Sequence, residues 1–125
     1  MYCGIDVNDL LIDASLGKSI DLNSVKSSLQ SRSSAYICFY FPEGVIKTIS
    51  GIDDVENLSY VKIFDKHGLV EGAKVERMEH KGQRMGPIIL EASSREEMGR
   101  RIAEVQRLLT ANVLNDDGVQ AIRWK

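Results

Sequence analysis

Ala35-Tyr36-Ile37-Cys38-Phe39-Tyr40-Phe41, then Pro42-Glu43-Gly44, then Val45-Ile46-Lys47-Thr48-Ile49, is the stretch that decides the fold class. The first run is rich in aromatic and β-branched residues, which suit a pleated, packed surface. It shows no polar alternation, so a strand covered on both faces is expected. Pro42-Glu43-Gly44 reads as a turn that sends the second run back as its hairpin partner. Gly51 ends that run, and Asp53 is placed to cap a short helix through Val55 and Leu58. A third strand is expected over residues 60–64, followed by a turn at Asp65-Lys66-His67-Gly68. Residues 73–79 alternate weakly and read as an edge strand or extended loop, and Pro87-Ile88-Ile89-Leu90-Glu91-Ala92 is a further strand.

Two helices are expected. Ser94 and Glu97 have capping-box spacing, in which a hydroxyl accepts from an orphan amide and a carboxylate reaches back. Met98, Ile102, Val105 and Leu109 then form one apolar stripe, so the spacing predicts a helix over 95–111 with Asn112 as its C-terminal cap. Near the start, Asp6 is a good N-cap, Val7, Leu10, Leu11 and Ala14 share a face, and Gly17 follows Leu16 as a terminator. Residues 18–34 are serine-rich and read as a connector rather than a weak helix around Val25 and Leu29, because serine competes for helical hydrogen bonds. Asn115-Asp116-Asp117-Gly118 is a turn, and residues 119–124 form a last strand. The expected fold is α+β: an antiparallel sheet with helices packed on one face and a long C-terminal helix. Residues 1–34 form a leading helix and connector, and residues 35–125 a compact α+β unit. The leading helix opens with no strand or loop before it, which reads as part of a larger whole.

The chain has 125 residues, 43% of them hydrophobic and 27% charged, with a formal net charge of -2. That charge supplies no field for nucleic acid or an anionic membrane surface. No apolar run approaches the roughly 20 residues a spanning helix needs. No leader is evident, so a cytoplasmic location is expected, with Cys3 and Cys38 reduced and structural. An exposed edge strand and an unpaired helix face favour self-association, so a homo-oligomer is a possible assembly.

The order and punctuation of these segments resemble the C-terminal part of ATP-grasp carboxylate–amine ligases, in particular the L-amino-acid ligase and carbamoyl-phosphate-synthase-like group. Gly4-Ile5-Asp6 with Leu16-Gly17 resembles the helix that follows the metal-binding strands of those enzymes. Residues 41–46 with Ile49-Ser50-Gly51 resemble their lid hairpin. Gln83-Arg84-Met85-Gly86-Pro87-Ile88-Ile89, then Ala92-Ser93-Ser94-Arg95-Glu96-Glu97, resembles the strand and helix that close the lid. The resemblance implies a two-step ligation in which ATP phosphorylates a carboxylate and an amine displaces phosphate, with magnesium balancing the phosphoryl charge. The family's nucleotide-binding lysines and acidic metal ligands lie upstream of the matching segments. No catalytic residue, metal ligand or cofactor is therefore expected in this chain. ATP and Mg2+ belong to the parent enzyme, whose N-terminal ATP-grasp core is the expected partner.

Arg84, with Gly86 beside it, is the candidate substrate-binding pair. A guanidinium holds carboxylate or phosphate through two parallel hydrogen bonds, and Gly82 and Gly86 let backbone approach a partner closely. The competing reading is a solvated loop arginine. His67 and His80 lack companions for a metal site. Asp53 and Asp54 read as first-turn helix charge. The arginines of the 95–111 helix alternate with glutamates, as on a solvated face. A second function class stays open: a free-standing α+β ligand-binding or oligomerisation module, distinguished by whether the first helix packs on its own chain.

Overall fold

The computed structural model describes residues 6–28 and 33–124, with the side chains of residues 26–28 outside that description. Eight strands form two four-stranded antiparallel sheets. Sheet A runs β3 (Val61–Phe64), β5 (Met85–Ala92), β1 (Ser33–Tyr40), β8 (Arg123–Trp124). Sheet B runs β4 (Lys74–Val75), β2 (Gly44–Ser50), β6 (Thr110–Asn115), β7 (Gly118–Ala121). The helices are α1 (Val7–Ser15), α2 (Leu22–Ser28), α3 (Ile52–Glu56) and α4 (Arg95–Leu108). The fold is α+β, with two sheets where one was expected.

The expected hairpin does not form. β1 pairs with β5 on one side and β8 on the other, whereas β2 pairs with β4 and β6. Residues 41–44 instead carry the chain from sheet A to sheet B. Phe39, Phe41 and Ile46 are all fully buried, so bending between sheets lets both runs point into one shared core. Gly44 permits the bend: a Cβ there would lie 2.5 Å from the Leu114 carbonyl oxygen and 2.5 Å from a Val113 methyl, at φ +149°. The last strand crosses the other way. β7 ends at Ala121, the Ile122 N–H donates to the Ala111 carbonyl at 3.1 Å, and β8 begins at Arg123 in sheet A. The single strand expected over residues 119–124 is thus two.

β1 is only partly covered on its outer face. Ile37, Cys38 and Phe39 are buried, but Tyr36 is 67% exposed. Phe39 stacks edge-on to Phe41 at 6.1 Å between centroids and tilts against Trp124 at 5.2 Å. Val105 and Val113, 0% exposed, and Leu109 at 1% complete the core between sheets and helix. Each fully buried side chain of this size contributes about 2 kcal/mol relative to exposure.

α4 lies against β5 and β1, and α3 bridges α4 and β3. The Ser94 hydroxyl accepts from the Glu97 N–H at 3.1 Å, as the sequence predicts, but the Glu97 carboxylate reaches back to the Ser93 N–H, at 2.8 Å. The helix ends at Leu108, three residues short of the expected 111. Leu109 turns extended and Thr110–Asn115 becomes β6, so Asn112 pairs with Thr48 and Ala121 rather than capping. The β-branched Thr110 and Val113 and the buried Ala111 fit a central strand flanked by β2 and β7. α3 starts on Gly51, not on Asp53; Asp53 and Asp54 sit in its first turn.

At the other end, the Asp6 carboxylate accepts from the N–H groups of Asn8 (2.9 Å) and Asp9 (3.2 Å), so α1 begins where expected. The expected connector contains α2, whose first turn is closed by Asp21 accepting from the Asn23 N–H at 3.0 Å. Aspartate capping outweighs the poor helix preference of the serines there. Cys3, Gly4, Ile5 and Leu29 lie outside the described residues.

Candidate functional site

The loop before β5 sets up Arg84. The Gln83 side-chain oxygen accepts from the N–H groups of Glu79 (2.6 Å) and His80 (3.2 Å), closing a 3-10 turn over Lys81–Gln83. Arg84 leaves that turn extended, and β5 starts at Met85. Its guanidinium is half-buried, and its Nε is buried with no hydrogen-bond partner. On the neighbouring strand, the Tyr36 phenol and Cys38 thiol share one face. A hydrogen bond with Cys38, the charge character of that thiol and burial raise the Tyr36 pKa above its ordinary value, and the Arg84 charge opposes them. Tyr36 and Cys38 therefore stand together on one face of β1, and the positive charge of Arg84 is felt at the phenol. An exposed phenol beside a guanidinium can donate to a carboxylate or phosphate. Cys38 is a buried free thiol.

Gly86 makes a close approach within its own sheet. A Cβ there would lie 3.3 Å from the Ile37 carbonyl oxygen and 3.3 Å from the Ile88 nitrogen, at φ +97°. The β1–β5 register slips at this point: Ile37 pairs with Ile88, Phe39 with Met85. One β1 residue, Cys38, thus faces two on β5, Gly86 and Pro87, whose connecting peptide is cis. The close approach that glycine allows is to the chain's own strand, at a β-bulge. Gly82 likewise faces His80, whose Nδ1 would lie 3.1 Å from an added Cβ.

The remaining polar residues are scattered. His67 sits in an exposed turn whose Asp65 carboxylate accepts its N–H at 2.9 Å. Among the described residues, no three of His, Cys, Asp and Glu converge. No helix among them is long and apolar enough to cross a membrane.

One cluster escaped the sequence reading. Arg101, expected on a solvated face, lies over the Tyr60 ring with its guanidinium carbon 4.6 Å from the centroid. It pairs with Glu97 at 2.6 Å and donates to the Glu91 carbonyl. The Tyr60 hydroxyl donates to Glu104 at 2.5 Å. Burial first, then this acceptor carboxylate, pushes the Tyr60 pKa up to about 12. The cluster ties α4 to the strands beneath it. Its sequence signal was the i, i+4 spacing of Glu97 and Arg101; the role of Tyr60 had none.

Set against family models, curated proteins and solved structures, the chain matches none of them.

Proposed function

We propose that this chain is the non-catalytic C-terminal segment of an ADP-forming ATP-grasp ligase, a lid or substrate-side piece that covers a site where a carboxylate joins an amine through an acyl phosphate. The motif order from Asp6 to Glu97 motivates the reading. The observation that carries it is the uncovered stripe of α1. Val7, Leu11, Ile12 and Leu16 are all exposed, Leu11 to 64% and Leu16 to 69%. An apolar helix face ahead of a body with its own core is what a segment docked on a larger partner presents. Arg84 is the group this chain would offer a carboxylate or phosphate, and ATP and Mg2+ would be held by the core. One element departs from the family pattern: residues 41–44 join two sheets instead of turning a lid hairpin.

The test is ADP release. The isolated chain with ATP and Mg2+ gives no turnover, and the polypeptide encoded immediately upstream releases ADP faster when this chain is added. Magnesium-dependent turnover by the isolated chain overturns the reading.

A second reading, a free-standing binding or oligomerisation module, draws on the closed core of the body, in which β1 pairs with β8. It expects self-association of the chain through α1, lost in a Leu11→Ser, Leu16→Ser variant measured by sedimentation.

A further inference from the structure

We propose that the cleft at the end of sheet B binds a short peptide with free termini, gripped by its two charged ends. The cleft is about 610 Å3, the size of a small-molecule site. Residues 42–45 of the crossing segment line it. On one bank stand Lys74 and Arg77, on or just past β4; on the other stand Asp116 and Asp117, in the β6–β7 turn. Glu43 and Arg123 complete the charged lining. All six side chains belong to exposed residues, and no ion pair joins any of them among the described residues.

Charges of opposite sign that share a cleft without pairing leave room for a dipolar guest. A simple anion would meet the carboxylates, and a simple cation the basic groups. A molecule with a carboxylate at one end and an ammonium at the other meets complementary charge at both. The banks are held by backbone structure. Asn115 donates its side-chain N–H to the Glu43 carbonyl at 2.8 Å and accepts from the Asp117 N–H at 3.0 Å, pinning the acidic turn to the crossing segment. Lys74 is fixed by pairing with Val45, and Arg123 by pairing with Tyr40. In the order β4-β2-β6 the backbones of the strands that carry the two banks are two strand spacings apart, about 10 Å. An extended tripeptide spans roughly that distance, at about 3.3–3.6 Å per residue. Its C-terminal carboxylate faces Lys74 and Arg77, where a guanidinium forms two parallel hydrogen bonds, and its N-terminal ammonium faces Asp116 and Asp117.

The charges lining the cleft all belong to this chain, so peptide binding is independent of the ligase reading, which ADP release tests separately. Trialanine, N-acetyl-trialanine and trialanine amide are titrated into the full chain at low salt and followed by amide chemical shifts. Free trialanine is expected to give saturable shifts at residues 43–45, 74–77 and 115–120, with affinity falling at least about tenfold when either end is blocked. Arg77→Ala weakens free trialanine but leaves the amide unchanged, and Asp117→Asn weakens it but leaves the acetylated form unchanged. Shifts that do not saturate at millimolar peptide, or that are the same for all three peptides, overturn the proposal; the blocked peptides probe the unaltered protein, so no variant's folding decides the outcome.

Discussion

α1 and α4 are written in the same language and end in opposite circumstances. Each opens on a side chain that accepts a backbone N–H, Asp6 in one and Ser94 in the other. Each carries an apolar stripe at helical spacing. The stripe of α4 is interred: Met98 and Val105 are buried, and Leu109 follows them into the core. The stripe of α1 faces outward, and no residue of that helix is buried. Periodicity names the apolar face of a helix; it does not say whether the same chain supplies something to cover it.

That contrast sets the scale of the expected mutational effects. Leu109→Ala empties a fully buried position and should cost about 3 kcal/mol in urea unfolding. Leu11→Ala should change the same unfolding curve by less than about 0.5 kcal/mol, as exposed substitutions do. A loss at Leu11 equal to that at Leu109 would mean that α1 is packed in solution and the contrast is false. The caps sharpen it further. Ser94→Ala should lower global stability by about 1 kcal/mol, because α4 unfolds with the core. Asp6→Ala should reduce helical circular dichroism while leaving the unfolding midpoint in place.

Two titrations probe how tightly α4 is tied down. The Tyr60 phenol, raised to about 12, should show its phenolate absorbance well above the ordinary tyrosine value of 10.0. Because the folded state favours the protonated phenol, its stabilising contribution is complete below the ordinary tyrosine value near 10 and fades as pH rises toward about 12. Tyr60→Phe should remove both the late absorbance step and that alkaline loss. The smallest effect belongs to Glu97. Hydrogen bonds from the Ser93 hydroxyl and N–H hold its carboxyl below the ordinary carboxylate range. Its contribution is present above the unfolded value and is lost as pH falls through the lowered folded one. Glu97→Gln should flatten the acid limb of the stability profile; an unchanged acid limb would show that the Ser93 contacts add nothing.

Local patterns carried the elements well and their assembly poorly. Caps, stripes and aromatic runs put α1, α4, β1, β2, β3 and β5 close to where they fall. The hairpin misreading came from a local rule applied where a non-local one ruled: β1 already has β5 and β8 as neighbours, so β2 must pair elsewhere. The end of α4 was misplaced because Asn112 resembles a helix cap, whereas strand pairing with β2 takes Thr110 to Asn112 out of the helix. Serine content hid α2, because the deciding residue was the single Asp21 ahead of it. At the candidate site, Arg84 was legible as a polar residue among glycines, but its companions Tyr36 and Cys38 were not. They lie nearly fifty positions earlier, on the strand that the β1–β5 ladder sets beside the one Arg84 leads into. The close approach expected of Gly86 is made to the chain's own β1 strand.

The pairing of β1 with β8 has a consequence for biosynthesis. Sheet A includes one of the earliest and the very last of the described strands, so the ladder edge that Phe39 and Tyr40 offer to Trp124 and Arg123 stays open while some eighty intervening residues are made. On the ribosome sheet A cannot be completed until residues 123 and 124 have left the exit tunnel. An unpaired aromatic strand edge is an adhesive surface in that interval. A stalled or truncated translation product that stops short of Trp124 should therefore aggregate, although nearly all of its core residues are already present.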